Sequence, residues 1–159
     1  MKIVLIATLL VFTGLALNSQ ASPNSLRQEI LKTHNEFRTK HNSPDLQWDE
    51  ELANYAKRRA SQCQFVHTHG PYGENLAAGY PSPAQAITAW YGESKHYSYS
   101  DPKFAYNTGH FTQLVWKSTQ KVGCSFVTCN GQHGTPGAYL VCEYSPAGNI
   151  ITQGYFADN

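Results

Sequence analysis

The chain is poor in charge. Only 14% of its 159 residues are Asp, Glu, Lys or Arg, against about 25% in an average domain. The 12 basic side chains nearly cancel the 11 acidic ones, so the electrostatic footprint of a nucleic-acid binder is missing. No C-x-x-C pair occurs, which argues against a zinc ribbon or a thioredoxin-type redox site. No G-x-S-x-G elbow and no H-E-x-x-H helix occur, so neither a serine-hydrolase nor a zincin site is written in the usual way. No N-x-S/T sequon is present, and N-glycosylation is not expected. No internal repeat or low-complexity tract breaks the chain.

One apolar run stands at the N-terminus. Lys2 precedes "IVLIATLLVFTGLAL", and "NSQA" follows with small Ser19 and Ala21. The run is shorter than the roughly 20 residues a membrane-spanning helix needs. With a basic start and small residues at its end it reads as a secretory signal peptide, residues 1–21. The expected product is extracellular, without a transmembrane anchor and monomeric. The remainder, 22–159, has the length of one domain.

Four cysteines remain: Cys63, Cys124, Cys129 and Cys142. An even number in a secreted chain predicts disulfides, which also removes a thiol nucleophile. Four cysteines allow three pairings. Cys129 and Cys142 flank the Gly-rich stretch "NGQHGTPGAYLV", and a hairpin there would bring them together, leaving Cys63 for Cys124.

Apolar spacing predicts a helix over 25–40, with Leu26, Ile30, His34 and Phe37 on one face. A second helix is expected over 49–61, with Asp49, Glu50 and Glu51 in its first turn and Leu52, Tyr55, Ala56 and Ala60 buried. Ser82-Pro83-Ala84-Gln85 is a capping box with proline at the first helical position, and Ile87, Trp90 and Tyr91 follow as core residues. The stretch 97–109 reads as a loop. Residues 111–117 read as a short helix or strand, 121–128 and 138–145 as a strand pair, and "GNIITQGYF" as a last strand. Helices first and strands later predict an α+β domain with helices packed on a largely antiparallel sheet.

Four stretches resemble one family. "GHFTQLVWKST" (109–119) and "YLVCEYSPAGNI" (139–150) are similar to the two signatures of the CAP superfamily. That group comprises cysteine-rich secretory proteins, antigen-five allergens and pathogenesis-related type-one proteins. "HTHGPYGENLA" (67–77) and "THNEFR" (33–38) match two further family segments. Together they span residues 33–150, and the match implies the superfamily's three-layer α-β-α sandwich. It also implies Cys63–Cys124 and Cys129–Cys142 disulfides. Plant members carry a third disulfide just before the first signature; "NTGHFTQ" has no cysteine, as in fungal, yeast-type members. Glu143 is a second departure, standing where the family usually has a smaller polar or basic residue.

The resemblance carries two candidate sites. His67, Glu74, Glu93 and His110 match the family's cleft of two histidines and two glutamates. Imidazoles and carboxylates are suitable ligands for a divalent cation, zinc or magnesium. In "HTHGPYGE" the family histidine aligns with His67 and not with His69. Tyr97, Tyr99 and Phe104, with Tyr106 beside them, resemble the caveolin-binding-type loop linked to sterol binding in yeast members. Rigid aromatics offer flat apolar area at little entropic cost. The expected function is secreted binding or export of sterols, or of fatty acids. The alternatives are a metal-dependent peptidase using Glu74 as general base, or a defence-related protein-interaction module; a catalytic role ranks below binding.

Overall fold

A computed structural model describes residues 23–152 and Phe156; residues 1–21, for which a signal peptide is expected, lie outside the described residues. The elements in chain order are α1 (Pro23–Thr39), β1 (Gln47–Trp48), α2 (Glu50–Ala60), β2 (Gly73–Ala78), α3 (Pro83–Gly92), α4 (Gly109–Val115), β3 (Lys121–Thr128) and β4 (Ala138–Ser145), with short 3-10 turns at Glu93–His96 and Gln132–Gly134. Helix starts follow their predicted chemistry. Asp49 Oδ1 accepts from the N–H groups of Glu51 and Leu52, and Ser82 accepts from Gln85 N. Each satisfies backbone donors that the first helical turn leaves unpaired.

The four strands lie in the order β1-β3-β4-β2. β3–β4 and β4–β2 are antiparallel, and β1 is parallel to β3. β4 is central, and its alternation serves two cores. Leu140, Cys142 and Tyr144 pack with Ile30 of α1, Ile87 and Trp90 of α3, and Phe111 and Leu114 of α4. Tyr139 and Val141 point the other way, against Ala56 and Ala60 of α2. Successive strand side chains leave on opposite faces, so one strand buried on both sides defines three layers: α2, the sheet, and α1 with α3 and α4. The α+β three-layer sandwich is as expected, with a mixed sheet that is antiparallel except at β1.

The close approach of α2 requires glycine at one point. A Cβ on Gly123 would lie 2.1 Å from Ala53 N and 2.6 Å from Asp49 O. Both are backbone atoms, so no side-chain adjustment relieves the clash.

Two readings need correction. The disulfides are Cys63–Cys129 and Cys124–Cys142, and not the Cys63–Cys124 and Cys129–Cys142 pairs. The β3–β4 register explains this. Cys124 and Cys142 are directly opposed on neighbouring strands, while Cys129 N bonds to Gly137 O at the end of the hairpin. Cys129 is therefore well separated from Cys142 along the ladder and meets Cys63 just beyond α2. Peptide mapping of non-reduced protein is expected to recover these two linked pairs; a Cys129–Cys142 peptide would contradict the register. The second correction is the last strand: residues 148–152 are irregular, and 153–155 lie outside the described residues.

Arg38 is fully buried at the end of α1. Its guanidinium donates to four carbonyls: Nε to Pro44 (2.7 Å), Nη1 to Leu114 and Trp116 (3.0 Å each), and Nη2 to Thr119 (2.9 Å). It satisfies the carbonyls left open at the end of α4. Burial lowers its pKa to about 10, so the group stays charged at neutral pH.

Candidate functional site

The four family-matched residues come from four places and form two pairs. His67 precedes β2, Glu74 lies on β2, Glu93 opens the 3-10 turn after α3, and His110 is in the first turn of α4. His67 Nδ1 donates to Glu74 Oε1 at 2.8 Å, and His110 Nδ1 donates to Glu93 Oε1 at 2.7 Å. A carboxylate can only accept, so Nδ1 carries the proton and Nε2 is the remaining ring nitrogen. Glu93 has a second task, for which its position gave no signal. Its Oε2 accepts from the N–H groups of His110 and Phe111, capping α4 where Thr108 supplies no side-chain cap. Burial pushes the Glu93 carboxyl up, but the hydrogen bond and charge of His110 with these N–H groups outweigh it and hold it below its usual value.

Buried supports fix the pairs. His110 stacks on Trp90 with ring centroids 5.9 Å apart, and Trp90 Nε1 donates to Leu76 O on β2. Asn75 Nδ2 donates to His110 O and lies near the Tyr144 hydroxyl, which meets His34 Nε2 at 2.8 Å. Burial lowers the His34 pKa to about 4, so this link between α1 and the cleft stays neutral above that pH.

Glu74 also meets Glu143, its direct partner across β2–β4. Glu143 is buried. Burial first, then the charge and hydrogen bond of Glu74, push its carboxyl up to about 9. Glu143 is thus protonated at neutral pH and donates to ionised Glu74. Glu74 is held below its usual value: burial raises it, but bonds from His67, Thr68 N and Glu143 prevail. The sequence marked Glu143 as unusual without indicating this contact.

The cleft has a volume of about 350 Å³. His67, His110, Glu74, Gln113, Phe104 and Tyr106 are among its lining residues, and His69 also faces it. Among the described residues no group of three or more His, Cys, Asp and Glu is arranged to hold a metal ion. The glutamates act on histidines.

A second cavity, of about 250 Å³, lies under the start of the 97–108 loop. Tyr97, Tyr99, Phe111, Val115, Trp116 and Phe156 supply its apolar wall; His41, Thr112 and Lys117 supply polar groups. Phe111 anchors it, edge-on to Tyr97 (5.6 Å) and to His41 (5.3 Å), while Trp116 meets Phe156 at 4.9 Å. The four loop aromatics therefore divide. Tyr97 and Tyr99 face this pocket; Phe104 and Tyr106 stand at the mouth of the His/Glu cleft. Phe111 and Trp116, hidden inside the first signature, carry no sequence signal as pocket residues.

A three-layer sandwich with paired histidines and glutamates in a cleft defines a class, and comparison with known proteins agrees. The model of the cysteine-rich secretory protein family, CAP, matches residues 31–144, and the chain belongs to that family. It is 48% identical over 134 residues to secreted protein PRY1 of Candida albicans, covering 82% of this chain and 31% of that protein. It is 44% identical over 135 residues to protein PRY2 of Saccharomyces cerevisiae, covering 82% and 39%. The chain thus spans about a third of the length of these yeast relatives. Pathogenesis-related protein 1C of Nicotiana tabacum is 38% identical over 157 residues, 92% of this chain and 89% of that protein. Among solved structures, NaASP2 with Zn2+ superposes with a TM-score of 0.70 at 25% identity, covering 87% of this chain and 88% of that one. BmVAL-1 does so with 0.72 at 27% identity, covering 88% and 85%.

Proposed function

We propose that the chain is an extracellular lipid carrier that takes a sterol ring system into the aromatic pocket under the 97–102 loop. The observation that carries this reading is the wall itself: Tyr97, Tyr99, Phe111, Trp116 and Phe156 converge, and no carboxylate among the described residues lines the cavity. Burial of apolar area is worth about 25 cal/mol per Å², and here it is gained without desolvating an acid. The volume of about 250 Å³ lies below the roughly 300–1,000 Å³ of clefts that enclose a drug-sized ligand. The pocket would therefore hold part of the sterol, the rest lying over exposed Tyr99. Relatives named as secreted support the extracellular setting. Tyr99 is 65% exposed, so Tyr99→Ala should leave the melt unchanged and weaken radiolabelled cholesterol binding about tenfold. Tyr106→Ala, at the other cavity, should leave it unchanged. The reverse pattern would move the ligand to the cleft.

The two carboxylate–histidine pairs favour a second reading of the cleft as a divalent-cation site. Ligating histidines commonly donate their second N–H to a carboxylate, which is how Glu74 and Glu93 hold His67 and His110. The two Nε2 atoms would hold zinc in preference to magnesium, since imidazole is the softer ligand. A bound zinc ion would supply a Lewis acid able to polarise a carbonyl and acidify water. Imidazole must lose its proton to ligate, so zinc affinity should fall toward acid pH. Calorimetry at two pH values tests this, and affinity retained in the His67→Ala/His110→Ala double variant would rule the site out.

A further inference from the structure

Phe104 and Tyr106 are left without a task by the lipid reading, yet they are placed as a pair. Tyr106 is 94% exposed, the most exposed aromatic among the described residues. It meets the Phe104 ring edge-on, with centroids 5.5 Å apart at 76°. Phe104 in turn rests on Gly109, where a Cβ would come within 3.2 Å of its ring. Two aromatic rings are thus held at the mouth of the 350 Å³ cleft, one of them almost wholly in water.

The cleft behind them narrows the class of ligand. No Lys or Arg among the described residues lines it, so a phosphate or carboxylate would find no fixed lysine or arginine counter-ion there. Glu74, Asn75, Gln113 and Asn149 line it, so a ligand there meets polar groups beside the two rings. Most of those groups are already used. Gln113 Oε1 accepts from Gly148 N and its Nε2 donates to Thr119; Asn149 accepts from Thr112 and donates to Gly109 O; Glu74 accepts from His67 and twice from Thr68. The Nε2 atoms of His67 and His110 have no hydrogen-bond partner among the described residues. With Nδ1 committed to a glutamate, Nε2 is the ring nitrogen left to meet a ligand, and a hydroxyl can serve it as donor or acceptor. A matching ligand is uncharged, rich in hydroxyls, and flat and apolar on one face.

We propose that this cleft binds β-linked oligosaccharides of gluco configuration. All substituents on such a pyranose are equatorial, so its faces carry only axial C–H bonds. These bonds can lie against the electron-rich face of exposed Tyr106, with Phe104 edge-on beside it, while hydroxyls turned into the cleft meet Nε2 of His67 and His110. An axial hydroxyl, as in mannose, would interrupt the flat face. This cleft is a different cavity from the lipid pocket, and the two adjoin where Phe104 meets Phe156.

The test is a ¹H–¹⁵N correlation titration of the secreted protein with cellohexaose, laminarihexaose and mannohexaose. Chelator keeps the two imidazoles free of metal. At least one glucan should shift amides within 67–75 and 104–110 and leave 97–102 and 115–117 unmoved. Tyr106→Ala should weaken that binding about tenfold without other spectral change, and mannohexaose should bind at least about tenfold more weakly. No shift with either glucan at millimolar concentration would overturn the proposal. So would shifts confined to the lipid pocket, or undiminished binding by Tyr106→Ala.

Discussion

Replacing Arg38 with methionine is expected to lower unfolding free energy by about 3–5 kcal/mol, because four carbonyls, three of them in buried hydrogen bonds, lose charge-assisted donors at once. The carbonyls of Pro44, Leu114, Trp116 and Thr119 converge on one guanidinium, and an apolar side chain of similar length leaves them unpaired. Lysine should recover only part of the loss, since an ammonium cannot reproduce the planar fork. Urea denaturation measures both variants. A loss below about 1 kcal/mol for Arg38→Met would mean that water replaces the guanidinium freely. Trp116 lines the proposed lipid pocket and its carbonyl is one of the four, so the proposed function predicts weaker sterol binding by Arg38→Lys under conditions where it remains folded.

Glu143→Gln is expected to stabilise the protein, and more so as pH rises. The folded-state pKa of Glu143 is raised to about 9 from an ordinary 4.5. Above the ordinary value the unfolded chain loses this proton while the folded chain keeps it. The folded state then binds more protons, so stability falls as pH rises from about 4.5 toward 9. A glutamine amide still donates to Glu74 and carries no such penalty. The variant should match the parent near pH 4.5 and exceed it by about 1–3 kcal/mol at pH 8. Parallel stability–pH curves for the two proteins would show that Glu143 is ionised in the fold. His34 imposes the opposite slope. Its folded pKa lies near 4, below an ordinary 6.5, so its contribution is full above about 6.5 and is lost as pH falls toward 4.

Much of the fold is legible in the sequence. The β3 and β4 limits, 121–128 and 138–145, can be read to the residue, because apolar runs there are bounded by Gly- and Pro-rich turns. Those limits also contain the disulfide pairing: a hairpin opposing 128 and 138 must oppose 124 and 142. Cys129 and Cys142 both flank the turn, but flanking a turn is not facing across it, and only the register decides. β2 escapes the sequence reading because "GENLAA" has no β-branched or aromatic residue; its strand character comes from pairing with β4. β1 has two residues and no periodicity to show.

The site is legible only through family resemblance, since His67, Glu74, Glu93 and His110 have no regular spacing and meet through tertiary packing. Two features lie beyond that resemblance. Glu143 reaches Glu74 because β4 and β2 are in register, and register is a long-range property. The loop aromatics read as one patch because they are neighbours in sequence; the turns at 99–100 and 106–108, with the start of α4, send them to two cavities.

The central claim is that the aromatic pocket, rather than the His/Glu cleft, receives the sterol. A spin-labelled sterol bound to ¹⁵N-labelled protein tests this directly, because paramagnetic broadening reports which amides lie near the ligand. The amides of Tyr97, Tyr99, Phe111 and Trp116 should broaden, and those of Thr68, Glu74 and Tyr106 should remain sharp. Broadening centred on Thr68, Glu74 and Tyr106, with Phe111 and Trp116 untouched, would contradict the account.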